Sequence, residues 1–163
     1  RSCAIDQNDT ASSLHDKLAA LGATAIVDAL RLLIDQDVEE RTQLADLVTY
    51  AEKITTPDRE LDWSRTSEQL LWQIRALNPT PVATMNLSNG KCKIWEATID
   101  TVSAVGSETS AVGEIVYAGN NGIGIRTKDG VLCITKIQPP GKKPMQVRDF
   151  LSGYAHGLDI RGH

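Results

Sequence analysis

The stretch Ile74-Arg75-Ala76-Leu77-Asn78-Pro79-Thr80-Pro81 joins two patterns that cannot belong to one element. A proline disfavours helical geometry at the residue before it, so Asn78 and Thr80 are both pushed towards extended backbone. A helix that starts near Thr66 must therefore end near Leu77, and the segment from Val82 must open as an edge or barrel strand. Asn78, Pro79 and Pro81 read as a rigid structural corner.

Upstream of the corner, Thr66-Ser67-Glu68-Gln69 matches a capping box, and Leu70, Leu71, Ile74 and Leu77 supply an inner helical face. Downstream the hydrophobic period changes to that of strands. Val82 to Leu87 and Cys92 to Thr98 flank Ser88-Asn89-Gly90, a hairpin signal. Val112 to Tyr117 is a third strand candidate. Gly122 to Thr127 and Val131 to Ile137 flank a second hairpin turn, Lys128-Asp129-Gly130. Five short strands with many glycines predict a small closed barrel, which would leave no exposed edge. Val147 to Ser152 would close it with a short helix, and residues 153–163 read as frayed.

The first part of the chain is different. Thr10 to Ile34 carries Leu14, Leu18, Leu21, Ala25, Ile26, Ala29, Leu30 and Leu33 at helical spacing. Ser13-Leu14-His15-Asp16 fits a capping box, or the helix starts a turn earlier. Gly22 marks a bend or a break. So wide an apolar face is ordinarily buried against a sheet, and no sheet precedes it. With the absent initiator Met, this predicts that the chain is a piece of something longer. Asp35 to Asp62 has no sustained period and reads as a linker. Residues 1–62 hold six basic and thirteen acidic side chains, and residues 63–163 hold eleven and eight, so two structural units are expected.

The motifs narrow the chemistry. No nucleophile–base pair, HExxH, CxxC or P-loop occurs, and Gly119 to Gly124 reads as a turn. His15, His156 and His163 are too scattered for a metal site, and His15 fits a surface or cap-supporting role. The three cysteines, Cys3, Cys92 and Cys133, make no disulfide framework. Cys92 and Cys133 are expected to be small buried hydrophobes. No apolar run is long enough for a membrane span and no signal peptide opens the chain, so a reducing cytoplasm is expected. One constellation is basic. Arg126, Lys128, Lys136, Lys142, Lys143 and Arg148 lie within 23 residues, with Asp129 the one acid among them. Lysines on a barrel rim can contact phosphates without reading bases.

Several stretches carry a resemblance over essentially the whole chain and in one order: Asp9 to Leu18, Thr49-Tyr50-Ala51-Glu52-Lys53-Ile54, Leu61-Asp62-Trp63-Ser64, Ile74 to Pro79, Lys93 to Ala97, and Leu132 to Lys143 with Asp149-Phe150-Leu151. The chain resembles the C-terminal part of the methionyl-tRNA formyltransferases. The resemblance implies a mainly β small barrel like an OB fold, preceded by a helical remnant of an α/β Rossmann-like domain and a linker. Residues 1–36 would be that remnant, 37–62 the linker and 63–163 the tRNA-binding domain. It implies a cytoplasmic monomer that transfers formyl from 10-formyltetrahydrofolate to methionyl-initiator tRNA. The catalytic Asn, His and Asp would lie in a preceding domain, leaving no catalytic residue, cofactor or metal here. Lys53, Arg75, Lys93, Arg126, Lys128, Lys136, Lys142, Lys143 and Arg148 would face the tRNA. Family members often have Phe where Leu77 stands and Trp where Thr80 stands. Two other readings compete: the support domain of a related sugar or folate formyltransferase or hydrolase, and a free-standing OB-like binding module.

Overall fold

A computed structural model describes residues 1–35, 38, 42–88, 90–102 and 110–154. The expectations for Glu39 to Arg41, His156, His163 and the end of the chain fall outside these residues.

Helix α1 spans Ala11–Ile34 without interruption, so Gly22 does not break it. Its capping box uses Thr10 and Ser13, one turn before the predicted one: Ser13 N–H donates to Thr10 Oγ1 at 3.2 Å and Thr10 N–H donates to Ser13 Oγ at 3.0 Å. Lys17 bridges Asp6 and Asp9 at 2.5 and 2.8 Å, which ties the N-terminal segment to the helix start. That bridge, the Asp6 N–H and the Ser13 hydroxyl hold the Asp9 carboxyl down at about 2. No residue of α1 is buried. Leu18, Ile26, Val27, Leu30, Leu32, Leu33 and Ile34 are exposed, so the sheet expected to cover this face is not supplied by the described residues.

Residues 42–62 contain two 3-10 turns, Ala45–Leu47 and Pro57–Arg59. Helix α2, Ser67–Ala76, carries the predicted capping box on Thr66 and Gln69. Leu70 and Ile74 are buried on its inner face. Both X-Pro peptides of the corner are cis. Val82 then takes φ 67°, a left-handed conformation that costs a β-branched residue about 1–3 kcal/mol. Two hydrogen bonds hold it there: Val82 N–H donates to Leu77 O at 2.9 Å, and Arg59 Nε–H donates to Val82 O at 3.2 Å.

Six strands follow: β1 Ala83–Leu87, β2 Gly90–Asp100, β3 Ile115–Gly119, β4 Gly122–Arg126, β5 Val131–Gln138 and β6 Met145–Gln146. All pairings are antiparallel, in the order β1-β2-β5-β4-β3, with β6 also on β5. Both predicted hairpins form; Leu87 pairs with Gly90, and Asn89 lies outside the described residues. The third strand begins at Ile115 rather than Val112, because Ala111 to Glu114 make a turn in which Glu114 N–H donates to Ala111 O at 3.0 Å. Helix α3, Val147–Tyr154, ends the described chain.

The predicted closed barrel is corrected. This is an α/β domain with an open antiparallel sheet and, among the described residues, three α-helices. Closure would require β1 to pair with β3. Instead the β1 edge is capped by Glu60 and Leu61, through a parallel bridge from Glu60 to Thr84 and a 2.9 Å bond from Leu61 N–H to Thr84 O. Helix α2 packs on β2 and β5, and α3 packs on β3 to β6. Covering one face with helices and an edge with a loop manages the edge problem without closure. Leu70, Ile74, Ile94, Ile123, Ile125, Leu132, Ile134, Ile137 and Phe150 form the centre of the core between helices and sheet. Cys92 and Cys133 are buried within the sheet, and burial pushes the Cys92 thiol up to about 11.

Candidate functional site

The basic side chains that cluster in sequence are separated in space. Arg126 and Lys128 belong to the β4–β5 turn, whereas Lys142 and Lys143 lie beyond the other end of β5. Seven strand steps from Val131 to Gln138, at about 3.3 Å each, put the two groups on the order of 23 Å apart. Lys93 joins the second group by pairing with Gln138 in register. Lys136 is held by Glu96 at 2.9 Å, and Arg148 by Asp149 at 3.4 Å. Arg126 donates to Gly130 O at 3.3 Å. Lys53 is exposed and lies away from either group in sequence. The basic residues thus fall into two groups strung along β5 rather than one compact patch.

A different place gathers chemistry, and it lies at the corner. The β2–β5 ladder slips twice in succession, between Ile94 and Glu96 and again between Glu96 and Ala97. The pairs run from Ile94–Ile137 to Glu96–Lys136 to Ala97–Ile134, so Trp95 on β2 and Thr135 on β5 have no cross-strand partner. A bulge leaves a backbone group outside the ladder. Here the side-chain amide of Asn78 takes it, donating to Trp95 O at 2.8 Å. The corner is thus bolted to the bulge, and Trp95 is further fixed by its indole N–H to Gln138 Oε1 at 3.0 Å. Ser12 N–H donates to Asn78 O at 3.3 Å, so the start of α1 docks on the same residue.

These contacts frame a cleft of about 570 Å³ between the N-terminal segment, α2 and the bulged strands. Leu71, Ile74, Trp95, Ala97 and Ile99 give it apolar walls, and Thr10, Arg75 and Thr135 add polar groups. Arg75 also borders a second, more apolar groove beside Ile5, Leu14 and Trp72. Its Nε is buried, and among the described residues its side chain has no hydrogen-bond or ion-pair partner. A buried guanidinium N–H without an acceptor is costly, which singles this residue out. Sequence reading placed Arg75 in a family corner. It had no means of finding the double register slip that opens the cleft beside it.

A second polar spot joins β3 to the last residue of β2. Tyr117 donates to Asp100 Oδ2 at 2.6 Å, and burial with that bond raises the phenol well above its usual range. Among the described residues no group of His, Cys, Asp and Glu could hold a metal ion, and no helix is long and apolar enough to cross a membrane.

Comparison with known proteins decides the family. The profile of the formyl transferase C-terminal domain matches residues 53–155. The chain belongs to that family. Among solved structures it is similar to HypX from Aquifex aeolicus. One variant of HypX aligns with 99% of this chain and 29% of its own, at 16% identity and a TM-score of 0.70. HypX in complex with tetrahydrofolic acid aligns with 83% of this chain and 23% of its own, at 16% identity and a TM-score of 0.60. Such identities establish a shared fold. The chain spans less than a third of the HypX chains that it matches.

Membership in this formyltransferase-related family goes with one-carbon transfer chemistry in general. It corrects the narrower resemblance. The family is not that of the methionyl-tRNA formyltransferases in particular, and the architecture is shared with HypX. Initiator tRNA as partner, translation initiation as process and the tRNA-binding label are withdrawn.

Proposed function

We propose that this chain is the support region of a folate-dependent one-carbon enzyme, a formyltransferase or related hydrolase, whose reacting atoms lie in another domain. The observation that carries this reading is α1. Its apolar face is uncovered here, yet the likeness to HypX extends over 99% of the chain, α1 included, within a much longer protein. Residues 1–36 would dock with an α/β formyl-transfer domain, 37–62 would link, and 63–163 would form the accessory unit. HypX has been solved with tetrahydrofolic acid, which supports a reduced folate as the one-carbon carrier, with 10-formyltetrahydrofolate as the donor. No catalytic residue is assigned to this chain. Its part is to hold the catalytic domain's geometry, which spends remote binding energy on positioning rather than on bond making. Two buried free thiols, Cys92 and Cys133, support a reducing cytoplasm.

The test uses the natural polypeptide that carries these residues, assayed for consumption of 10-formyltetrahydrofolate. Leu30→Lys with Leu33→Lys places two charges on the α1 face while leaving the sheet untouched. We expect the double variant to lose at least tenfold in kcat/KM with the sheet still folded. Failure of the unaltered polypeptide to bind or consume the formyl donor would remove the reading.

A further inference from the structure

We propose that the cleft at the Ile74–Pro81 corner is a binding site for a small organic carboxylate with an apolar body, anchored by Arg75. It is independent of the folate reading above.

Four observations converge on it. First, the cleft's volume of about 570 Å³ is that of a small-molecule site, and its walls are mainly apolar with a few convergent polar groups. Secondly, it is built by a structural irregularity. Two consecutive register slips free Trp95 and Thr135 from the ladder, and Asn78 then pins the freed Trp95 carbonyl. Thirdly, the charge inside is unbalanced. Arg75 and Glu96 are the charged residues in its lining, and Glu96 is already paired with Lys136 at 2.9 Å. One positive charge is left over. Fourthly, that charge sits on a guanidinium whose Nε is buried and has no acceptor. Of the carboxylates that line the adjoining groove with Arg75, Asp6 and Asp9 are committed to Lys17, and Glu68, seven residues before Arg75 on α2 and so about 10 Å back along the helix axis, makes no ion pair with it.

The chemistry of the ligand follows. A planar guanidinium matches a carboxylate in a two-point hydrogen-bonded pair, and the partly desolvated site strengthens it. A single uncompensated positive charge suits a monoanion better than a dianionic phosphate monoester. The Trp95 ring and the aliphatic walls favour an aryl or branched alkyl body over a bare carboxylate. The Thr10 and Thr135 hydroxyls lie in the lining for a further polar substituent.

The 163-residue chain is titrated with phenylacetate and followed through the Trp95 indole N–H and Arg75 Nε–H signals by NMR. Phenylacetamide, acetate and phenyl phosphate are run beside it. Expected is saturable movement of both signals, with a dissociation constant on the order of 1 mM for so small a probe. Arg75→Met should weaken it at least about tenfold. Ala97→Leu fills the cleft without altering Arg75 and should also abolish binding, which keeps the test decisive if the arginine variant fails to fold. Equal binding of phenylacetamide would remove the anion. Equal binding of acetate would remove the apolar body, and tighter binding of phenyl phosphate would replace the carboxylate. No movement at tens of millimolar phenylacetate in the folded chain would overturn the site altogether. These readouts are blind to folate turnover, so this proposal and the preceding one fail separately.

Discussion

Thr127 is wholly buried, and its hydroxyl joins the β4–β5 turn to the start of α2. It lies 2.7 Å from the Ser67 hydroxyl, accepts Gly130 N–H at 3.1 Å and donates to Asp129 Oδ1 at 3.2 Å. Asp129 in turn accepts Ser67 N–H at 2.8 Å, at the first residue of α2. Thr127→Val keeps the shape but strips partners from Ser67 and Gly130, and should cost about 1–3 kcal/mol in a urea melt. The backbone N–H of Ser67 is the main reason that the Asp129 carboxyl is held below its usual range. A depressed folded pKa stabilises above the unfolded value, about 3.9, and that contribution is lost as pH falls through the lower folded value. Urea melts between pH 7 and pH 3 should therefore fall less steeply in Asp129→Asn than in the parent. An unchanged slope would assign the acid sensitivity to other carboxyls. In sequence Lys128-Asp129-Gly130 was legible as a hairpin turn. Its second role, capping a helix 62 positions away, was not, because the partner is fixed only by tertiary packing.

At the scale of elements, two glycines show what a sequence can and cannot say. Gly22 looked like a helix breaker, yet α1 runs through it and nothing lies near the place that a side chain would take. Its cost is the ordinary one of glycine in a helix. Gly22→Ala should slow amide exchange across α1 by the equivalent of about 0.5–1 kcal/mol and leave the core melt unchanged. Gly124 looked like one glycine among several in a strand. In the fold the Tyr117 ring of β3 lies against it, and a Cβ there would come within 2.2 Å of the ring's Cε1. Gly124→Ala must displace Tyr117 and its bond to Asp100, for a loss of about 1–3 kcal/mol. A melt within 0.5 kcal/mol of the parent would show that β3 can shift freely. Strand existence, hairpins and the helix stop at the corner were legible, since each has a local cause: alternation, turn residues, a proline. The double register slip at Trp95 and Thr135 has no local signature. Both residues fit a strand, and only the pairing of β2 with β5 exposes the mismatch.

For the molecule as a whole, the same distinction explains the barrel. Strand count and glycine content suit closure, but closure depends on what covers the edges, and here Glu60 and Leu61 reach the β1 edge first. The basic cluster is spread out for a related reason: one β-strand is long enough to carry sequence neighbours to opposite ends of the sheet. The apolar helix, by contrast, was legible from its periodicity, and among the described residues none of its side chains is buried. A helix of 24 residues without a buried face has little beyond its own hydrogen bonds and caps to resist opening. In the 163-residue chain, α1 amides should exchange at least a hundredfold faster than those of β5, which lie in the core and open only with the whole domain. In the natural polypeptide, an α/β domain seated on Leu30 and Leu33 would bring α1 into the core's exchange class, and Leu30→Lys with Leu33→Lys would return it to the fast one. If α1 exchanges equally fast in both settings, the helix is a solvent-bridging spacer, and the accessory unit begins at the linker instead.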